Sequence, residues 1–236
     1  MIASTTFPGF PRQCLQFYKD LSVNNNRDWF NSHKQNYLDY VLTPAVDFVI
    51  ALGERLKTLS KAITYDTRTN GAGSIMRIYR DTRFSKDKTP YKMNLGIVFG
   101  WGGRKTESPG CYFHLEPDNA VIYTGVYMLS KRMLTAYRDA VVDVTLGAEL
   151  EKALATVRTA GAYEIGGEQS KRVPQGYDPA HKRAELLKYK GFYGKSPLIK
   201  PAVITKPDLI EVCFEHCRAM LPLQQWLAKV DSMATT

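Results

Sequence analysis

Sixteen residues, RIYRDTRFSKDKTPYK from Arg77 to Lys92, gather the side chains of this sequence best suited to chemistry. Arg77, Arg80, Arg83, Lys86, Lys88 and Lys92 are cationic, only Asp81 and Asp87 are anionic, and Tyr79, Phe84 and Tyr91 are interleaved. Arg80 and Arg83 offer planar forks to phosphate or carboxylate oxygens, whereas Lys86, Lys88 and Lys92 act as movable point charges. Phe84 and Tyr91 can stack on a base or another aromatic ring. Asp81 and Asp87 suit holding arginines in place better than binding a metal. Together these residues point to recognition of an anion. The plain alternative is an internal Arg80–Asp81–Arg83 ion-pair network that pins the loop, since structural networks imitate functional sites.

A second group lies in Tyr112-Phe113-His114-Leu115-Glu116. Strand alternation puts Tyr112, His114 and Glu116 on one face. A His and a carboxylate two residues apart can form a general acid–base pair, His titrating near neutrality. The bland counterpart is a His hydrogen-bonded inside a polar cross-strand cluster. On the helical face of Asn26, Trp29, Phe30 and His33, the spacing of Trp29 and Phe30 reads as core, which leaves Arg27 and His33 as further candidate contributors. From the second basic stretch, Arg172 and Tyr177 are candidates to close the site, with Asp178 better explained as a helix cap. No metal site is expected: Cys213 and Cys217 continue an apolar stripe with Leu209 and Met220, and a zinc site would need a further ligand beside His216. The chain has no P-loop, no dinucleotide fingerprint, no H-E-x-x-H and no G-x-S-x-G, so no cofactor is implied.

The formal charge is +9 over 236 residues. Arg77–Lys92 carries net +4 and Lys171–Lys200 net +6, so the remainder stands at −1. All the excess positive charge therefore sits in two stretches far apart in sequence, whose potentials add if the fold brings them together. A hydrophobic fraction of 44% and a charged fraction of 23% are ordinary for a globular protein. No apolar run approaches the ~18 residues of a membrane span, and the N-terminus lacks the pattern of a signal peptide. The expectation is a cytoplasmic protein with no membrane association, and the four cysteines do not make a disulfide framework.

The elements that must position these residues follow from periodicity. Cys14, Leu15, Tyr18 and Leu21 recur as in a helix, Asn24–Asn26 supply a turn and an N-cap, and Trp29, Phe30, His33, Tyr37 and Val41 make a second helical face. Thr43-Pro44 reads as a break and a restart, with Thr43 as cap. The period then changes to two over Ser74–Arg80, Met93–Phe99, Cys111–Glu116 and Ala120–Met128, which predicts four strands in an antiparallel meander. About a dozen residues join the first two strands, far more than a hairpin needs, and that excess is the basic motif. Helices resume after Ser130 and from Gly147, with a short strand at Tyr163–Ile165 and a final helix from Thr205. The fold class is α+β: a single domain over 1–236, an antiparallel sheet packed by flanking N- and C-terminal helices.

The motif R-x-x-R-D-x-R-F-x-x-D-K-x-x-Y, carried by Arg77, Arg80, Asp81, Arg83, Phe84, Asp87, Lys88 and Tyr91, resembles the signature of a mainly bacterial family catalogued as domain of unknown function 2461. The segments around Asn24–Phe30, Phe113–Pro117 and Lys171–Asp178 resemble the same family. The resemblance spans nearly the whole chain and implies one full-length domain but no reaction. The function expected from the residues is binding of a phosphate-bearing ligand, nucleic acid or nucleotide, through the basic-aromatic loop. Two alternatives stand beside it. One is an enzyme on a small phosphorylated or carboxylated substrate, with an arginine clamp and His114 and Glu116 moving protons. The other is a scaffold surface for an acidic protein partner.

Overall fold

The computed structural model describes residues 7–101 and 108–235. Helix α1 (Arg12–Val23) buries Cys14, Leu15, Phe17, Tyr18 and Leu21. Asn26 then caps α2 (Arg27–Ser32), its side-chain oxygen accepting the Trp29 N–H at 2.9 Å. A short α3 (Lys34–Tyr37) leads through a π-helical turn (Leu38–Leu42) into α4 (Thr43–Lys57). The expected break at Thr43-Pro44 is absent. Thr43 is helical, at φ −60° and ψ −52°, and donates its N–H to Leu38 O, five residues back. In a regular α-helix the ring of Pro44 would clash with a carbonyl four residues earlier and leave it unbonded. The wider π turn is a known way to absorb such a misfit inside a helix.

The strands are β1 (Ile63–Thr64), β2 (Leu95–Trp101), β3 (Gly110–Glu116) and β4 (Asn119–Val126), then β5 (Glu164–Gly166) and β6 (Phe192–Lys195). They form one antiparallel sheet in the order β1-β2-β3-β4-β6-β5. The meander β2-β3-β4 and the α+β class are as expected from sequence. Ser74–Arg80 is not a full strand: it pairs through isolated bridges, Ile75 with Ile97 and Tyr79 with Tyr91. Strands β1 and β6 were not foreseen, the first being two residues long and the second lying inside the Lys171–Lys200 charge run. The later helices are α5 (Lys131–Val142), α6 (Val144–Thr159), α7 (Ala184–Leu187), α8 (Pro201–Ile204), α9 (Leu209–Ala219) and α10 (Leu221–Thr235). Ser130 caps α5, and Asp143, not anticipated as a cap, accepts from Thr145 and Leu146 N–H at the head of α6.

Contacts group the chain into two units. The first holds the described residues through Phe99, with Tyr112–Val121 and Leu198–Glu215. Its core centres on Phe48 of α4, whose ring meets Phe7, Phe10, Phe99 and Phe113 at centroid distances of 5.3, 5.4, 6.4 and 4.5 Å. A second aromatic group, Phe17, Phe30, Tyr37 and Tyr91, links the N-terminal helices to the start of the sheet. In the other unit, α10 packs on α5 and α6, and Trp226 donates its indole N–H to Leu146 O at 2.8 Å. There Tyr193 of β6 lies between Gly125 and Gly166 on the two neighbouring strands. Gly125 sits at φ +143°, where a Cβ would fall 2.3 Å from Phe192 O, so only glycine fits.

Because Phe48 is fully buried among four rings, Phe48→Ala should cost about 3–5 kcal/mol. Urea unfolding of the two proteins measures this directly. A cost under about 1 kcal/mol would mean that this cluster does not hold the first unit together.

Candidate functional site

The basic loop is anchored before it is charged. At its base Tyr79 and Tyr91 bridge, with Arg80 N–H bonded to Pro90 O at 2.9 Å and Lys92 N–H to Ile78 O at 2.8 Å. Asn25 reaches across from the N-terminal helices and imitates a strand. Its amide nitrogen donates to Tyr91 O at 3.0 Å, and its oxygen accepts the Tyr91 N–H at 3.1 Å. Phe30 of α2 stacks on the Tyr91 ring at 4.2 Å and 19°. Buried backbone groups without partners are costly, so this two-point clamp fixes where the loop leaves the sheet. Asn25 was read from sequence only as a turn residue, and its role as a clamp was missed.

Between the two bridges the strands slip. Ile75 and Tyr79 are four positions apart, but Tyr91 and Ile97 are six. The surplus bulges out at Met93 and Asn94, and bulges re-aim nearby side chains. Asn94 meets His114 of β3, its Nδ2 lying 3.3 Å from His114 Nδ1. Tyr112 Oη is 3.1 Å from the same nitrogen, and His114 Nε2 is 3.1 Å from Glu116 Oε1. Tyr112, His114 and Glu116 thus share a face, as alternation predicts, and both ring nitrogens of His114 already have partners. Proton transfer to a substrate would require one of these bonds to open.

Within the loop, carboxylates are assigned unequally. Asp81 takes Arg83 in a bidentate pair, Nε to Oδ1 at 3.0 Å and Nη2 to Oδ2 at 2.7 Å, and also accepts the Arg83 N–H at 3.2 Å. Asp87 takes Nη1 of Arg80 at 2.5 Å, while the same nitrogen bonds Thr89 Oγ1 and Thr89 O. Thr89 N–H closes the knot on Asp87 at 2.9 Å. Lys88 spends its ammonium on Thr82 O at 2.9 Å. The Arg80–Asp81–Arg83 network weighed as the plain alternative is instead two separate pairs, Arg80 with Asp87 and Arg83 with Asp81. All the bonds of Arg80 leave from Nη1, so its Nε and Nη2 edge makes none among the described residues.

The remaining cations are different. Among the described residues Arg27, Arg77, Lys86 and Lys92 have no carboxylate at ion-pair distance. Lys92 is half-buried, and burial first, then the nearby Arg77 guanidinium, pushes its pKa below the ordinary lysine value. Arg27 lies close enough to Tyr91 to oppose the upward push that burial and the Tyr79 hydroxyl give its phenol. Exposed apolar side chains accompany them: Phe84 is 95% exposed, Tyr79 52% and Met93 47%.

The second basic stretch is mostly spent on the protein's own carboxylates. Arg183, Lys188, Lys190 and Lys195 pair with Glu151, Glu185, Glu168 and Glu164 at 3.0, 2.5, 2.8 and 3.1 Å. Arg183 is also buried, capping Val141 O and Asp143 O. Arg172 and Tyr177 belong to the second unit. Arg172 is exposed, and Tyr177 donates its hydroxyl to Asp139 at 2.7 Å, burial and that bond raising its pKa to about 12. Cys213 and Cys217 are buried, and among the described residues no group of three His, Cys, Asp or Glu side chains is placed to hold a metal. A hollow of about 360 Å³ lies in the second unit against α6 and α10, lined by Lys152, Pro222 and Trp226 among others. It involves neither the loop nor His114.

The chain belongs to the family described as conserved hypothetical protein (DUF2461), which it matches over residues 13–226. No curated protein matches it. No helix among the described residues is long and apolar enough to cross a membrane.

The knot and the bidentate pair should be visible in titration. Both carboxylates are held down to about 2 from an ordinary 3.8, Asp81 by the Arg83 side chain and N–H and more weakly by the Arg77 charge, and Asp87 by Thr89 N–H, Arg80 and the Thr89 hydroxyl. Depressed values mean that these pairs are intact above pH 3.8 and are lost as pH falls through about 2. Carboxyl ¹³C NMR should place both midpoints near 2. Midpoints near 3.8 would show that neither carboxylate is committed to its arginine.

Proposed function

We propose that this protein binds a phosphate-bearing ligand, nucleic acid or nucleotide, at the base of the Arg77–Lys92 loop. The observation that carries the reading is the group of cations at the base of the loop, Arg27, Arg77 and the half-buried Lys92, none with a carboxylate at ion-pair distance among the described residues, Asp81 lying only near enough to Arg77 to feel its charge. The loop has carboxylates, but both are taken by Arg80 and Arg83. A bound anion would supply the missing counter-charge. Arg27 and Lys86 extend the cationic surface, and the vacant edge of the Arg80 guanidinium has the geometry that bidentate phosphate recognition uses. Arg83, Lys88 and Asp81 serve the reading as loop structure. Arg172 and Tyr177 are not needed for it. The protein is taken to act in the cytoplasm.

A binding role fits better than catalysis, because both ring nitrogens of His114 already have partners. The second reading is a scaffold for an acidic protein, favoured by the exposed Tyr79, Phe84 and Met93 beside the charge.

Fluorescence anisotropy with labelled oligonucleotides across a salt series tests the proposal. Log affinity falls with log salt by about 0.7 per single-strand phosphate neutralised, or about 0.9 in duplex DNA. The Arg77→Ala, Lys92→Met double variant should lower that slope by about 1.5 and weaken binding about tenfold or more at low salt. Wild-type protein that fails to bind oligonucleotide or ATP at low salt, or a variant with an unchanged slope, would overturn the reading. Polyglutamate that competes better than oligonucleotide would favour the scaffold.

A further inference from the structure

The anion reading gives no role to Phe84, at the tip of the loop. Its ring is 95% exposed, the most exposed of the large hydrophobic residues described. Exposed apolar surface costs about 25 cal/mol per Å² relative to burial, and a hydroxylated residue there would avoid that cost. The ring is also held out on a stiffened tip. Arg83 beside it is tied to Asp81 through four hydrogen bonds, Ser85 N–H bonds back to Thr82 O at 3.4 Å, and Lys88 Nζ ties the returning strand to Thr82 O. The Arg83 guanidinium carbon lies 5.7 Å from the ring centroid, leaving the ring otherwise open. Lys86, without a partner among the described residues, follows two positions later.

An exposed apolar ring beside cations has a specific use. A flat aromatic base can cover the ring while its phosphates meet the cations, which satisfies the apolar and the ionic requirement at once. Acidic peptides satisfy the charge but seldom offer a flat face, and duplex bases are already stacked on each other. Resting on the anion-binding reading above, we propose that the ligand is an unpaired nucleic-acid strand and that Phe84 is a stacking platform for one of its bases. Five residues separate Phe84 from the Tyr79 bridge, which sets the tip at most about 18 Å beyond it. One strand can therefore reach both the tip and the Arg77–Lys92 pair.

The experiment compares oligothymidylate, the same length of duplex, and an abasic strand of equal charge, by anisotropy against wild-type, Phe84→Ala and Phe84→Trp proteins. Stacking is worth about 1–3 kcal/mol per base, so Phe84→Ala should weaken oligothymidylate binding roughly 5- to 150-fold. Phe84→Trp should retain it, and neither substitution should alter duplex or abasic-strand binding. Thermal unfolding should be the same for all three proteins, because the ring is 95% exposed. Equal binding of single strand and duplex, or an effect of Phe84→Ala no larger than twofold, would overturn the stacking inference. If the salt slope still responded to Arg77 and Lys92 in that case, the anion reading would survive alone. If no oligonucleotide bound at all, both would fall. Phe84-dependent binding to phosphatidylserine–phosphatidylcholine vesicles or to polyglutamate, without oligonucleotide binding, would overturn the inference in favour of a lipid surface or an acidic partner.

Discussion

Charge balance inside one loop governs the account. Two carboxylates face six cations, and the fold assigns both to arginines on the outer part of the loop. At the base Arg77 lies near enough to Lys92 to oppose its charge, as it does to Asp81 to favour that carboxylate's, and Lys92 is half withdrawn from water. Burial and a like charge both disfavour the charged ammonium, which is why its pKa is lowered. The unfavourable pair persists because the backbone around it is held by other forces. Asn25 clamps the Tyr91 peptide, Phe30 stacks on the Tyr91 ring, and the Tyr79–Tyr91 bridge closes the loop.

The same division explains the two kinds of charge in the loop. Arg80 is mostly buried, at 26% side-chain exposure, and is tied to Asp87 and Thr89, so it shapes the loop with one nitrogen and leaves one edge vacant. Arg83 is 77% exposed, and its pair with Asp81 adds little stability. Its consequence is positional, since it stiffens the tip beneath Phe84.

Much of this was legible in sequence. The period-two runs over β2, β3 and β4 gave the meander, Asn26 and Ser130 announced their helices, and alternation placed Tyr112, His114 and Glu116 together. What sequence concealed was long-range or irregular. Asn25 finds Tyr91 across 66 positions by imitating a peptide group, and no local pattern encodes that. The slip at Met93 and Asn94 turned an expected strand pair into two bridges and put Asn94 against His114. Pro44 read as a break because the π turn that accommodates it leaves no composition signal. The second basic stretch looked like surplus charge, yet Glu151, Glu164 and Glu168, all outside it in sequence, neutralise much of it. Local charge counting cannot see partners that the fold supplies.

The central claim is that Arg77 and Lys92 await an external anion, and the Lys92 ammonium reports on this directly. Its pKa can be followed by NMR of the lysine ε-position, with and without oligonucleotide. An anion seated on the pair would favour the protonated form, so the account predicts a rise toward or beyond the ordinary lysine value of 10.5. A Lys92 pKa that stays depressed while the ligand is bound elsewhere on the protein would contradict it.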